Sequence, residues 1–188
     1  VSAYLNGDLN SPPTIIESPT SPEDEVTDAV QFMDEVFFIR NSTSSLPGFK
    51  WGPQTVYTQI TGMPRGKVIV SWKSRLWIGG RTDASGIGAQ LRYSDIQPTG
   101  PMPDSWPSMN YVDIAYGEGG FITSIIPLQN SLIVFKSDGT WRFSYPSQVK
   151  DGSVDVISSS IGAASRHSAV ELENVIYLYD QGSVYEMV

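Results

Sequence analysis

Four short apolar runs recur along this chain, and they do not alternate between polar and apolar residues. They read VFFI at 36–39, LWI at 76–78, LIVF at 132–135 and IYLY at 176–179. Each begins four residues after a large apolar anchor: Phe32, Trp72, Leu128 and Leu172. The anchors are 40, 56 and 44 residues apart. A strand with one wet face alternates, whereas a strand covered on both faces reads as a continuous apolar run. Runs of three or four residues flanked by Gly, Asp and Ser are too short to be buried helices. A repeat of roughly 40–50 residues is the length of one propeller blade. The expected fold is therefore all-β, a series of repeated antiparallel sheets, β-propeller-like, over residues 29–188. A sandwich is the competing reading. Four units need not close a ring, because propellers have about four to eight blades.

Turn chemistry supports the repeat. Asp138-Gly139 between two apolar runs is a strong hairpin signal, since Gly takes positive φ without a Cβ clash. Shorter breaks are expected at Lys73-Ser74 and at Gln129-Asn130. Each unit then reads as strand, turn, strand, turn, strand. Two pieces fall outside the pattern. Residues 1–28 form an arm rich in Pro and acid, in which Pro12, Pro13, Pro19 and Pro22 exclude a central strand. Ser21-Pro22 followed by acids has the grammar of one short helical turn. Residues 93–120 form a loop insertion with Pro98, Pro101, Pro103 and Pro107, expected to be pinned to its blade by Trp106. The chain opens on VSAYLNGD and stops on SVYEMV inside an apparent strand, so it reads as a piece of a longer one.

Charge restricts the partners. Twenty acidic residues against 12 basic ones give a net charge of −8, and no cluster of Lys and Arg is present to displace counterions from phosphates. Tight nucleic-acid binding is not expected; a surface that DNA slides past is compatible with this balance. Without Cys there is neither a disulfide framework nor a thiolate metal site. No apolar run reaches 18 residues, so no helical membrane span is expected.

Chemistry-bearing motifs are sparse. His167 is the sole histidine, and no nucleophile-elbow glycines surround it. The acidic groups Glu23/Asp24/Glu25 and Asp34/Glu35 read as solvated, in the arm and at a hairpin turn, rather than as a catalytic pair in a cleft. The glycine-rich stretches DASGIG and GEGG lack the Walker lysine and the full dinucleotide spacing. SDGTW at 137–141 matches the Asp-box turn of sialidase-type propellers only in part. Asn41-Ser42-Thr43 is a bare sequon. No catalytic residue, metal site or cofactor is expected, and turnover would have to fall to groups such as His167 or Asp113. Trp106, Tyr111, Tyr116 and Phe121 are the candidate protein-interface residues, being loop aromatics of the kind that interfaces favour. The alternative is that they tuck onto their own blade.

From Arg75 to Met187 the chain resembles the propeller-bearing tail proteins of tailed bacteriophages, including the nozzle or tubular proteins of short-tailed phages. The resemblance is carried by LRYSD at 91–95, PDSWP at 103–107, ITSIIPLQNSLIVFKSDGTWRF at 122–143 and SAVELENVIYLYDQGSVYEM at 168–187. It implies a virion structural role without catalysis. The protein would form an oligomeric ring, commonly sixfold, through which DNA exits without specific binding. Its partners would be copies of itself, the head–tail adaptor and other tail proteins, and it would be located in the virion tail. A receptor- or carbohydrate-binding propeller module is the alternative, with solvent-facing Trp and Tyr on one face.

Overall fold

The computed structural model describes residues 2–3, 14–15, 25–41, 44, 46–52, 57–81, 88–96, 104–118 and 120–187. The helical turn expected at Ser21-Pro22 and the hydroxyl end of the sequon lie outside these residues. Seventeen strands are described: a short pair, β1 (Ser2–Ala3) with β2 (Thr14–Ile15), then four antiparallel sheets in chain order. Sheet 1 comprises β3 (Val26–Phe32), β4 (Glu35–Arg40), β5 (Phe49–Trp51) and β6 (Thr58–Gln59). Sheet 2 comprises β7 (Val68–Trp72), β8 (Arg75–Gly79), β9 (Gln90–Tyr93) and β10 (Tyr111–Asp113). Sheet 3 comprises β11 (Ile122–Leu128), β12 (Ser131–Lys136), β13 (Thr140–Ser144) and β14 (Ser153–Ser158). Sheet 4 has three strands, β15 (Ala169–Leu172), β16 (Val175–Asp180) and β17 (Ser183–Met187).

Every sheet is an up-and-down meander, and the sheets pack face to face in sequence order. Their first strands, β3, β7, β11 and β15, run side by side as the innermost members. That arrangement is β-propeller-like, and it rests on a register already present in the repeat. Counting from each anchor, the residues at +5 and +7 face the following sheet and those at +4 and +6 face the preceding one. Phe37 and Ile39 thus pack on Ile69, Leu76 and Ile78. Trp77 packs on the layer of Leu132, Val134, Trp141 and Phe143. Ile133 and Phe135 pack on Ala169, Ile176 and Leu178. Three apolar layers, one between each successive pair of sheets, make up the core.

The turns follow their chemistry. Lys73 and Ser74 both have positive φ, at 46° and 57°, as a two-residue hairpin turn of type I′ demands. The break at Asp138-Gly139 departs from expectation: neither residue has positive φ, the Lys136 N–H donates to the Gly139 carbonyl at 2.9 Å, and Gly139 is there because a Cβ would sit 2.3 Å from the Trp141 ring.

Four expectations need correction. The first strand starts at Val26, so the repeat region begins inside the assigned arm. The 93–120 insertion is more than a loop, because it supplies β10, the fourth strand of sheet 2. Glu35 is not solvated: it is the first residue of β4, buried, and its carboxylate lies 3.3 Å from Lys50 Nζ. Finally, the run in sheet 4 is not covered on both faces. Ile176 and Leu178 are buried, but Tyr177 and Tyr179 are not, so this strand alternates in burial although it does not alternate in sequence.

Candidate interaction surfaces

Of the four loop aromatics, Trp106 is placed differently from the rest. It is only 7% exposed and belongs to the layer between sheets 1 and 2, with Phe37, Ile39, Ile60 and Met63. Two residues earlier, Asp104 accepts from Lys50 Nζ at 3.0 Å, so the loop is fastened by one ion pair and one buried ring. The indole is thus a peg holding the 104–110 segment on sheet 1, and it is not offered to a partner.

Tyr111, Tyr116 and Phe121 do face solvent, Tyr116 with 67% of its surface. Tyr116 and Phe121 flank a shallow cleft of about 310 Å³ that, among the described residues, is also lined by Gly88, Ala89, Gly117, Glu118 and Gly120. The absence of a side chain at Gly88 is what admits the ring: a Cβ there would sit 1.8 Å from Phe121 Cδ1. Underneath, the fully buried Lys136 donates to the carbonyls of Ala115 at 2.9 Å and Glu118 at 2.5 Å, with its ammonium 4.6 Å from the Trp141 ring. Burial lowers the Lys136 pKa, opposed by the negative charges of Glu118 and Asp138. One cation therefore organises the turn that presents both aromatics. No sequence signal flagged Lys136 as more than a strand end.

A second surface is the outer face of sheet 4. Strand register puts Val170 opposite Tyr177 and Tyr179 opposite Val184, with Leu172 on the same face of β15 as Val170, the side away from sheet 3. Leu172 is 61% exposed, Tyr179 56% and Val184 72%. On sheets 1 to 3 the residues at the same places of the central strand, Phe37, Ile39, Trp77, Ile133 and Phe135, are buried. Glu186, opposite Tyr177, is the one charged side chain among the paired residues of that face.

Near the innermost strands a polar knot ties the first sheet to the turn that leads into the last. Asp28 Oδ2 on β3 accepts from the Ile69 backbone N–H at 3.0 Å and from Arg166 Nε at 2.9 Å. The Ser124 hydroxyl on β11 donates to the Arg166 carbonyl at 3.2 Å. Next to Arg166, His167 is exposed and lines a cleft of about 360 Å³ with Val70, Ile125, Pro127 and Glu171. Asp113, exposed on β10, lies on a different sheet. Among the described residues no group of three or more His, Cys, Asp or Glu side chains is placed to hold a metal ion, and no helix is long and apolar enough to cross a membrane.

No family model matches the chain, and no curated protein is significantly similar to it. Among solved structures, the crystal structure of the N-terminal domain of Nup159 is similar at a TM-score of 0.43 and 12% identity. The match covers 85% of this chain and 46% of that one, so the chain spans about half the length of that structure.

Proposed function

We propose that this β-propeller-like chain is a non-catalytic structural module of a bacteriophage tail, a building block of an oligomeric ring in the virion. The observation that carries this reading is the uncovered apolar face of sheet 4, with Val170, Leu172, Tyr177, Tyr179 and Val184 side by side. A contiguous apolar patch of this kind marks an interaction surface. Three sheets of this chain bury their equivalent residues against another sheet, and stacking on a neighbouring tail subunit would do the same for the fourth. The resemblance over Arg75 to Met187 supplies the class of assembly, and an acidic chain suits a channel that DNA leaves without sticking. The test is the mass of the purified chain by light scattering across a concentration series, with electron microscopy of any ring. Concentration-dependent assembly abolished by Tyr179→Lys is expected. A chain that stays monomeric at hundreds of micromolar, with unchanged behaviour in the variant, refutes the reading.

A second reading is favoured by the Tyr116–Phe121 cleft. Two exposed rings over a glycine-lined floor resemble a stacking platform for a sugar, which fits a receptor- or carbohydrate-binding module. Binding on a glycan array that disappears in Tyr116→Ala would support it, and an array without a hit would remove it.

A further inference from the structure

Lys50 stands in the middle of β5, where register places it opposite Phe37 on β4. Side chains two residues apart on a strand share a face, so Glu35 lies diagonally across from Lys50 on the side that meets sheet 2. Glu35 Oε2 is 3.3 Å from Lys50 Nζ, and each side chain is only 7% exposed. Gly52 makes the space for the carboxylate: a Cβ there would lie 2.8 Å from Glu35 Cγ. From the other direction, the segment before β10 brings in Asp104, whose Oδ2 accepts from Lys50 Nζ at 3.0 Å. The two residues after Asp104 hold it in place. Ser105 Oγ donates to Asp95 Oδ2 at 2.7 Å, and the Ser105 carbonyl accepts from the Asp95 N–H at 3.0 Å. Trp106 is buried in the layer between sheets 1 and 2.

One carboxylate neutralises one ammonium, and a buried charge pair gains little once desolvation is counted. Here two carboxylates meet on the same nitrogen, one deep in the sheet and one on a loop. An amine, a carboxyl carbon and a second carboxylate beside the amine are the parts that amide formation needs: nucleophile, acyl group and proton carrier.

We propose that Lys50 and Asp104 condense into an intramolecular isopeptide bond, with Glu35 carrying the protons. An ammonium proton passes to Glu35, the Nζ lone pair attacks Asp104 Cγ, and the Cγ–Oδ2 bond breaks. The oxygen departs as water with the two protons that the nitrogen gives up. One ammonium and one carboxylate become one amide and one water, so no net proton is taken up or released. The step needs no oxidant or cofactor, and Glu35 ends as it began. Cγ is one bond from the oxygen that already touches the nitrogen, so the fold supplies proximity. In well-oriented intramolecular reactions that is equivalent to about 10⁵–10⁸ M of reactant. Burial keeps water, which favours the separated ions, away from Lys50 and Glu35, while the half-exposed Asp104 gives the released molecule a way out. The bond cross-links positions 54 apart, ties β5 of sheet 1 to the segment leading into β10 of sheet 2, and gives a chain without cysteine a covalent staple. It is independent of the tail reading, since a module can assemble with or without it.

The test is the mass of the intact, denatured chain, taken on purification and after days at neutral pH. The chain should be lighter than its sequence mass by one water. Trypsin should then yield a branched product, residues 41–65 uncut at Lys50 and joined to residues 93–136. The digest matters because Asp138-Gly139 and Asp151-Gly152 can lose water as succinimides without any cross-link. Asp104→Ala, at a half-exposed position, should keep its full mass and be cut at Lys50. Asp104→Asn should lose ammonia in place of water, a change of leaving group that an ion pair has no reason to show. Glu35→Gln, folded by circular dichroism, should carry about a tenth or less of the bond found in the parent chain. Should it fail to fold, the two Asp104 variants decide alone. The proposal is overturned by a parent chain that keeps its full mass, by a water lost without the branched product, or by a loss that persists in Asp104→Ala. Full bond formation in Glu35→Gln overturns the role assigned to Glu35.

Discussion

Phe135 and Tyr179 hold the same place in the repeat, seven residues beyond the anchors Leu128 and Leu172, yet one is covered by a following sheet and the other is bare. Replacing each with Ala measures what a neighbouring sheet is worth. Phe135 is fully buried in the layer with Ala163, Ile176 and Leu178. Truncating a core Phe costs about 3–5 kcal/mol, part of it transfer free energy and part the cavity left behind. With a urea m-value of about 2 kcal/mol/M for a chain of this size, Phe135→Ala should lower the unfolding midpoint by roughly 2 M. Tyr179→Ala removes a side chain already 56% exposed, so in dilute protein the cost is about 0.5 kcal/mol and the shift a few tenths of 1 M. The assay is urea unfolding followed by tryptophan fluorescence, since both changes spare every Trp. If Tyr179→Ala shifts the midpoint of dilute, monomeric protein as far as Phe135→Ala, the outer face of sheet 4 is not bare and the account of the repeat fails. A stacked assembly makes the further forecast that the cost of Tyr179→Ala grows with protein concentration, because association stabilises by mass action.

Asp28→Asn should cost about 2 kcal/mol, the scale of a hydrogen bond to a charged group, and a double-mutant cycle with Arg166→Met should recover most of it as coupling energy. Gly162→Ala would place a Cβ 2.2 Å from the Lys136 carbonyl and 2.7 Å from the Asp138 nitrogen, so about 2–3 kcal/mol of overpacking is expected in thermal unfolding. Lys136 has a folded-state pKa below 10.5, so the unfolded chain binds the extra proton between the two values and stability rises with pH through that window. Tyr93 and Tyr145 act oppositely: burial raises both above 10.0, so stability falls as pH climbs from there toward their folded values. Lys136→Met should abolish the rise and leave the fall, as read by unfolding midpoints from pH 8 to 11.

Much of the architecture is legible in the residues because burial on both faces leaves a plain mark. The runs at 36–39, 76–78 and 132–135 lie on central strands as expected, and the breaks at Lys73-Ser74, Gln129-Asn130 and Asp138-Gly139 fall between strands where expected, although Gly139 is required by the Trp141 ring beside it rather than by a positive φ. The fourth strands were not legible. β6 and β10 are two and three residues long and mostly exposed, so no apolar period develops; β14 alternates, but its valines face solvent on an outer edge. IYLY at 176–179 misleads for the opposite reason: the sequence carries two covered faces, while the described chain covers one. Trp106 shows the limit of reading loop aromatics, since composition cannot separate a ring offered to a partner from one that pegs its own loop. The role of Lys136 was hidden because it depends on carbonyls of Ala115 and Glu118, about twenty residues earlier, which only the packing of sheet 2 on sheet 3 brings near.

The contact between Asp28 and Arg166 joins residues 138 positions apart. In stacked-repeat proteins each unit touches its neighbours alone, so opening can begin at either terminus and spread inward. Here the first sheet is tied to the turn leading into the last, so the described sheets at the two ends of the stack are not independent of each other. Melting should therefore be a single event over all four sheets, and cutting the tie should convert it into sequential loss beginning at whichever end is weaker.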